Sequence, residues 1–360
     1  MHEHIMEDLK IKIPPEWKRS VEEIDGHGGP VLVMGAQGSG KSTFCQFLTG
    51  HFTRQGKVVA WIDADPGQPF LGPPAALSLA VYAEPKDLLK ERKALAMSFV
   101  GDTSPAGHLL EMITGLQKLY RRAAALDPGL ILVNTCGLVN GAAARDLMFH
   151  EIDGLSPQYI VALESGKEVE HLLAPHSHRA GLLVIRISPS PDGKILSRDA
   201  RRVARERRFK EYFRGAGFHD LALSDVGVHG PGLGTGERLG FWDVNRLSQI
   251  VQGIVVHAEI SADALFMLVN GEYEGEELYT AREQYKVREV TVLKQSEMDH
   301  LLVGLNDEKN LCLALGIMRD IDLRDQSIRL ISPLRDMARV RHLSIGTLRV
   351  NPAGSELGRW

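Results

Sequence analysis

Gly35-Ala36-Gln37-Gly38-Ser39-Gly40-Lys41-Ser42 is a complete phosphate-binding loop, and it follows directly on the apolar run Val31-Leu32-Val33-Met34. The pattern requires a strand before it and a helix after it, and Thr43-Phe44-Cys45-Gln46-Phe47-Leu48 reads as the start of that helix. Open amides at such a helix start face phosphate oxygens, so the stretch predicts a nucleoside triphosphate site. Gly35, Gly38 and Gly40 let the backbone wrap the phosphates without a side-chain clash, while Gln37, Ser39 and Thr43 complete the nucleotide-binding set. Lys41 neutralises the outer phosphates, and the Ser42 hydroxyl is a candidate Mg²⁺ ligand.

Outward from the loop, further apolar runs recur at 58–62, 95–100, 130–133, 159–163 and 182–187, with helical stretches between them. This is the rhythm of an α/β fold, a P-loop NTPase domain with a mostly parallel, doubly wound sheet. Ligands of such sheets collect outside the carboxyl ends of the strands. Here those ends are polar: the loop itself, then Asp63-Ala64-Asp65-Pro66-Gly67-Gln68, Gly101-Asp102-Thr103-Ser104-Pro105 and Asn134-Thr135-Cys136-Gly137. A Gly-rich stretch over 227–240 marks a boundary, and the short alternating runs after it predict a smaller β-rich C-terminal domain. The expected division is a lead-in over 1–27, the P-loop domain over 28–226 with an Arg-rich lid over 197–214, and the C-terminal domain over 227–360.

With 360 residues, 44% hydrophobic and 24% charged, the chain has the composition of a globular protein large enough for two domains. No apolar stretch approaches the roughly 18 residues of a membrane span, and Met1-His2-Glu3-His4-Ile5-Met6-Glu7 lacks the basic and apolar regions of a signal peptide, so a cytoplasmic location and no membrane partner are expected. The three cysteines, Cys45, Cys136 and Cys312, are widely spaced and odd in number, which predicts reduced thiols rather than a disulfide framework. A net charge of −4 means that any contact with nucleic acid must come from a local basic patch.

Asp65 is the candidate proton acceptor and a candidate Mg²⁺ ligand, because the Pro66-Gly67 turn aims it into the site; Gln68 could orient a nucleophile or the terminal phosphate. Asp-Pro-Gly is also a common turn in its own right. Between Ser197 and Arg214, Arg198, Arg201, Arg205 and Arg208 recur at spacings of three and four and share one helical face. Such a face can close over a triphosphate as a lid, or serve as a solvated surface or a nucleic-acid patch. Thr103 and the Thr135-Cys136-Gly137 turn leave room for a substrate, and equally make ordinary loops. His2/His4 and His176/His178 lack a metal-ligand pattern, and Cys136 has no activating base in sequence.

In combination these motifs resemble the polynucleotide 5′-hydroxyl kinases, the family that includes the kinase subunit of the mRNA 3′-end cleavage factor and the nucleolar pre-ribosomal-RNA processing kinase. The resemblance runs from Pro14-Pro15-Glu16-Trp17 through the loop to Asp65-Pro66-Gly67-Gln68-Pro69 with Pro73-Pro74, the two strand ends above, and the Arg-rich segment ending Glu211-Tyr212-Phe213. It continues through Cys312-Leu313-Ala314-Leu315-Gly316-Ile317 to Ser332-Pro333-Leu334, and the Pro-Gly-Gln-Pro and Pro-Pro elements look closer to the nucleolar branch. It implies transfer of the γ-phosphate of ATP or GTP to the 5′-hydroxyl of RNA or DNA, with RNA-processing proteins as further partners. By position it implies that Lys41 and Ser42 hold phosphate and Mg²⁺, and that Asp65 activates the hydroxyl with Gln68 assisting. Thr103, Thr135 and Gly137 would clasp the terminal nucleotide, and Arg198 and Arg201 would stabilise the transferred group. Two positions depart from the family. Leu138 stands where a Trp often follows the clasp, and Leu196 stands where the first lid arginine falls, with Arg198 as its replacement. The alternative these departures leave open is a nucleotide-binding, catalytically weak scaffold in an RNA-processing assembly. A switch-type GTPase would carry an Asn-Lys-x-Asp sequence, which is not evident here.

Overall fold

The apolar run ahead of the loop is a strand fully enclosed by its neighbours. In the computed structural model, which describes residues 13–24, 29–89, 93–190, 193, 195–230, 232–275, 278–322 and 326–360, the chain divides into two compact units, Met1–Arg208 and Phe209–Trp360. The first twelve residues, with His2 and His4, lie outside the described residues.

The strands of the first unit are β1 (Pro30–Gly35), β2 (Val59–Ala64), β3 (Ala76–Tyr82), β4 (Ala96–Phe99), β5 (Leu130–Thr135), β6 (Tyr159–Leu163) and β7 (Leu183–Ile187). They lie in the order β4-β3-β2-β5-β1-β6-β7. β2, β5, β1, β6 and β7 are parallel neighbours, as the alternation of runs and helices requires. The longer helices are α1 (Pro15–Ile24), α2 (Lys41–Arg54), α3 (Leu109–Ala124), α4 (Ala142–Leu155) and α5 (Arg198–Tyr212), the last of which ends four residues into the second unit. Val31, Leu32, Val33 and Met34 are all 0% exposed, which is why β1 reads as a continuous apolar run instead of alternating.

β3 is the element the sequence reading passes over. It pairs antiparallel with both β2 and β4. Its small residues Ala76, Ser78 and Ala80 dilute the β-branched signal, and the Pro- and Gly-rich segment ahead of it reads as loop. The double reversal has a functional consequence. β4 ends up parallel to β2, so Gly101–Pro105 leaves the sheet on the same edge as the loop, Asp65 and Gly137.

α1 braces that edge from behind. The Trp17 ring packs edge-on against Phe44 of α2 at 5.1 Å, and its Nε1 donates to the Ser188 carbonyl at 3.2 Å. Glu16 accepts from the Ser188 amide at 3.0 Å, and this bond holds its carboxyl below the usual range.

The second unit contains β8 (Gly217–Ala222), β9 (Gly227–His229), β10 (Glu237–Arg238), α6 (Phe241–Ile250), β11 (Ile254–Ile260), β12 (Ala264–Asn270), α7 (Leu278–Tyr285), β13 (Glu289–Lys294), β14 (Leu301–Asn306), β15 (Cys312–Asp322), β16 (Ser327–Ser332), β17 (His342–Val350) and β18 (Glu356–Arg359). β8-β16-β15-β14-β17-β18 pair in succession, β9 adds to β17, and β10-β11-β12-β13 form a four-stranded sheet. The division at 208/209 precedes the Gly-rich stretch at 227–240. The reason is pairing: β8 bonds to β16 ahead of the Gly-rich stretch and β9 bonds to β17 at its start, which commits both strands to the second unit. The Gly-rich stretch is itself fastened there, with Glu259 accepting from the amides of Thr235 at 3.1 Å and Gly236 at 3.2 Å while its other oxygen meets buried His257 at 2.7 Å. Among the described residues no helix is long and apolar enough to cross a membrane.

Candidate active site

The loop turns on glycine. Gly38 and Gly40 have φ of 78° and 92°, the left-handed region, and a Cβ on Gly40 would stand 2.5 Å from Ser190 Cβ. Gly40 caps α2 without a side-chain bond, so the first amides of the helix stay open to an anion. Lys41 is buried, and its Nζ donates to the carbonyls of Gly35 at 2.9 Å and Ala36 at 3.1 Å. Burial draws its pKa down, opposed chiefly by the negative charge of Asp65. A cavity of about 270 Å³ opens here, lined by Gln37, Gly38, Gly40, Lys41, Ser42 and Thr43 of the loop, by Asp65 and Gln68, and by Gly193, Leu196 and Arg201.

The two carboxylates at the end of β2 do different work. Asp63 is fully buried and spends both oxygens on structure: Oδ1 accepts from Asn134 Nδ2 at 2.8 Å, and Oδ2 accepts from the amides of Phe70 and of Leu71, the latter at 2.8 Å. Burial pushes its pKa up to about 7 against the pull of those donors. The same Asn134 amide donates to Ser42 Oγ at 3.2 Å, so it couples the buried acid to the candidate metal ligand. Asp65 Oδ1 accepts from the amides of Gly67 at 3.0 Å and Gln68 at 2.9 Å, which aims the carboxylate as the Pro-Gly turn predicts. A Cβ on Gly67 would lie 2.6 Å from the Thr103 carbonyl, so only glycine lets this turn sit against the 101–105 segment. Ser42 Oγ and Asp65 are hard oxygen donors on one cavity, the donor type that suits Mg²⁺.

Clasp and lid residues separate once placed. Gly137 lies directly against Gln37, where a Cβ would be 2.6 Å from Gln37 Cγ and 3.1 Å from its backbone nitrogen. Thr103 is buried, with its hydroxyl 3.4 Å from Asp102 Oδ1. Thr135 corrects the expectation of a substrate contact: it is 0% exposed and its hydroxyl donates to the Val33 carbonyl at 3.0 Å, so it fastens β5 to β1. On α5, Arg201 lines the nucleotide cavity and donates to Gln37 Oε1, while Gln68 Nε2 donates to the Arg201 carbonyl at 3.4 Å. Arg198 opens the helix, is exposed and does not line that cavity. Arg205 and Arg208 instead line a second space of about 260 Å³ that shares Ser42 and Gln68 with the first. Asn134 is the participant to which the sequence assigns no role; Gln37 is expected at the nucleotide and Arg205 and Arg208 on the lid face, but the Gln37–Arg201 contact and the second space are not legible from residue types.

Behind the clasp, Cys136 is buried, and burial, aided by the charge of Glu151, pushes its thiol far above the usual range. Glu151 on α4 is 1% exposed, and among the described residues neither carboxyl oxygen has a hydrogen-bond partner. Its pKa is pushed up to about 8 by burial. The folded state therefore keeps a proton that the unfolded chain releases above its ordinary value of 4.5, and the stability this provides is lost as pH rises through about 8. Glu151→Met is expected to stabilise the protein by about 1–3 kcal/mol, with more gain near pH 9 than near pH 5. Urea unfolding at both pH values checks this; an equal gain at the two, or a loss, would refute the protonated state.

This geometry defines a P-loop nucleotide-binding domain. Residues 35–215 match the family described as the mRNA cleavage and polyadenylation factor CLP1 P-loop, and the chain belongs to that family. Its relatives include the polyribonucleotide 5′-hydroxyl-kinase of Pyrococcus abyssi, 28% identical over 351 residues with 96% of this chain and 95% of the relative covered. Another is the polyribonucleotide 5′-hydroxyl-kinase of Methanocaldococcus jannaschii, 29% identical over 330 residues with 91% and 89% covered. The Clp1 polyribonucleotide 5′-hydroxyl-kinase of Xenopus tropicalis is 26% identical over 219 residues, covering 58% of this chain and 49% of that one. Among solved structures, the wild-type Clp1p–Pcf11p complex contains a chain that matches with a TM-score of 0.58 at 12% identity, over 92% of this chain and 76% of that one, which supports the fold.

Proposed function

We infer that this chain is a polynucleotide 5′-hydroxyl kinase, moving the γ-phosphoryl group of ATP or GTP onto the 5′-hydroxyl of an RNA or DNA end. The observation that carries the reading is Asp65, a carboxylate aimed by its own turn into the cavity that holds Lys41, Ser42 and Arg201. A nucleotide-binding scaffold has no use for a base at that point; a kinase needs one. The names of the archaeal relatives, matched over nearly the whole chain, support the same reaction.

In the transfer, the acceptor 5′-oxygen attacks the γ-phosphorus, the bond from that phosphorus to the β,γ-bridging oxygen breaks, and the hydroxyl proton passes to Asp65. Lys41 and the open amides of α2 hold the β- and γ-oxygens, and Arg201 meets the charge on the transferring group. Ser42 and Asp65 would hold Mg²⁺, which when bound neutralises phosphate charge. Gly137 and Thr103 border the terminal nucleotide. Proteins of an RNA-processing assembly are the natural partners, as Pcf11p is for Clp1p in the solved complex.

The test is end-labelling of short 5′-hydroxyl RNA and DNA with γ-labelled ATP or GTP and Mg²⁺, using the same oligonucleotides carrying a 5′-phosphate as controls. Label on the hydroxyl ends alone is expected. Nucleotide binding with no labelled end of either kind would overturn the kinase in favour of the scaffold.

A further inference from the structure

The phosphate-loop pattern leaves position 37 free, since the loop needs backbone amides there and no particular side chain. This chain places at that position a long carboxamide that reaches across 164 residues of sequence to accept from the guanidinium of Arg201. The contact is held from two further sides. Gln68 Nε2 donates to the Arg201 carbonyl at 3.4 Å, and Gly137 packs so closely on Gln37 that a Cβ would come within 2.6 Å of its Cγ. Gln37 is thereby sandwiched between the clasp turn and α5. Arg201 also lines the nucleotide cavity, so its guanidinium charge stands where an anion would sit.

We propose that Gln37 is the positioning residue for Arg201, holding the guanidinium at the nucleotide cavity with a neutral acceptor and linking that hold to the clasp through Gly137. Neutrality is the point of the choice. A carboxylate at position 37 would form an ion pair with the guanidinium and cancel the charge that the transferring phosphoryl group requires. An amide orients the arginine and leaves its charge for the phosphoryl oxygens. The catalytic part of the proposal rests on the kinase reading; the grip on the helix does not.

The test is a double-mutant cycle on the full chain with ATP and a 5′-hydroxyl RNA. Gln37→Ala is expected to lower kcat about tenfold to a hundredfold, the worth of one hydrogen bond from a charged donor, with both KM values within about twofold of wild type. In the Arg201→Ala background, Gln37→Ala is expected to cost nothing more. Losses that multiply in the double variant would overturn the proposal, and so would a raised KM for ATP at unchanged kcat, the signature of a loop that merely binds less well. A second readout needs no turnover. With a non-hydrolysable ATP analogue present, trypsin is expected to cut α5 faster in Gln37→Ala than in wild type, and equal rates would overturn the grip. If wild-type protein labels no acceptor, the kinase reading fails by itself and the trypsin comparison still decides the contact.

Discussion

The Asp65→Asn protein is expected to lose 5′-end phosphorylation by about 10²- to 10⁴-fold, the range of a general base, and to keep its affinity for ATP measured without Mg²⁺. The substitution is chosen for what it keeps. An amide oxygen can accept from Gly67 N and Gln68 N as Asp65 Oδ1 does, so the turn retains its shape, and only basicity and charge are removed. Asp63→Asn would not be equivalent, because both Asp63 oxygens accept from buried donors and a carboxamide NH₂ would be set against one of them. Single-turnover labelling read beside calorimetric ATP affinity separates the two effects. An Asp65→Asn rate within about tenfold of wild type would remove Asp65 from proton transfer.

The position of Asp65 was legible because three local signals agree: an apolar strand, a Pro-Gly turn after it, and a phosphate loop closing a second strand nearby in the fold. β1 and the polar strand ends were legible for the same reason, since a buried parallel strand must be apolar and must end where its ligand begins. What escaped depends on pairing or on side-chain direction. β3 was hidden by small residues, although its antiparallel pairing is what brings Gly101–Pro105 to the site edge. Thr135 stands in a polar strand end like its neighbours, yet its hydroxyl turns inward to the Val33 carbonyl, and nothing in residue type distinguishes inward from outward. Gln37 is expected at the nucleotide, but its contact with Arg201 and that of Asn134 with Ser42 join residues 164 and 92 apart, distances over which spacing carries no information.

The lid shows the same limit most sharply, and it yields the second large effect. By spacing, Arg198 and Arg201 share a helical face and are interchangeable candidates; by position they are not. Arg198 is exposed at the helix start, whereas Arg201 lines the nucleotide cavity and is tied to Gln37 and Gln68. Arg201→Ala is therefore expected to lower kcat by about 10³-fold or more, as loss of an arginine that meets transition-state charge does, with a much smaller change in KM for ATP. Arg198→Ala is expected to stay within about threefold of wild type, the scale of a solvated surface charge. Arg201→Lys should recover little, because an ammonium keeps the charge but cannot hold the Gln37 oxygen and a phosphoryl oxygen with one planar fork. Steady-state kinetics on the three variants decide the assignment. Equal losses at Arg198 and Arg201 would mean that the helix acts as a diffuse cationic face, and the geometry of the Gln37 contact would then have no share in the chemistry.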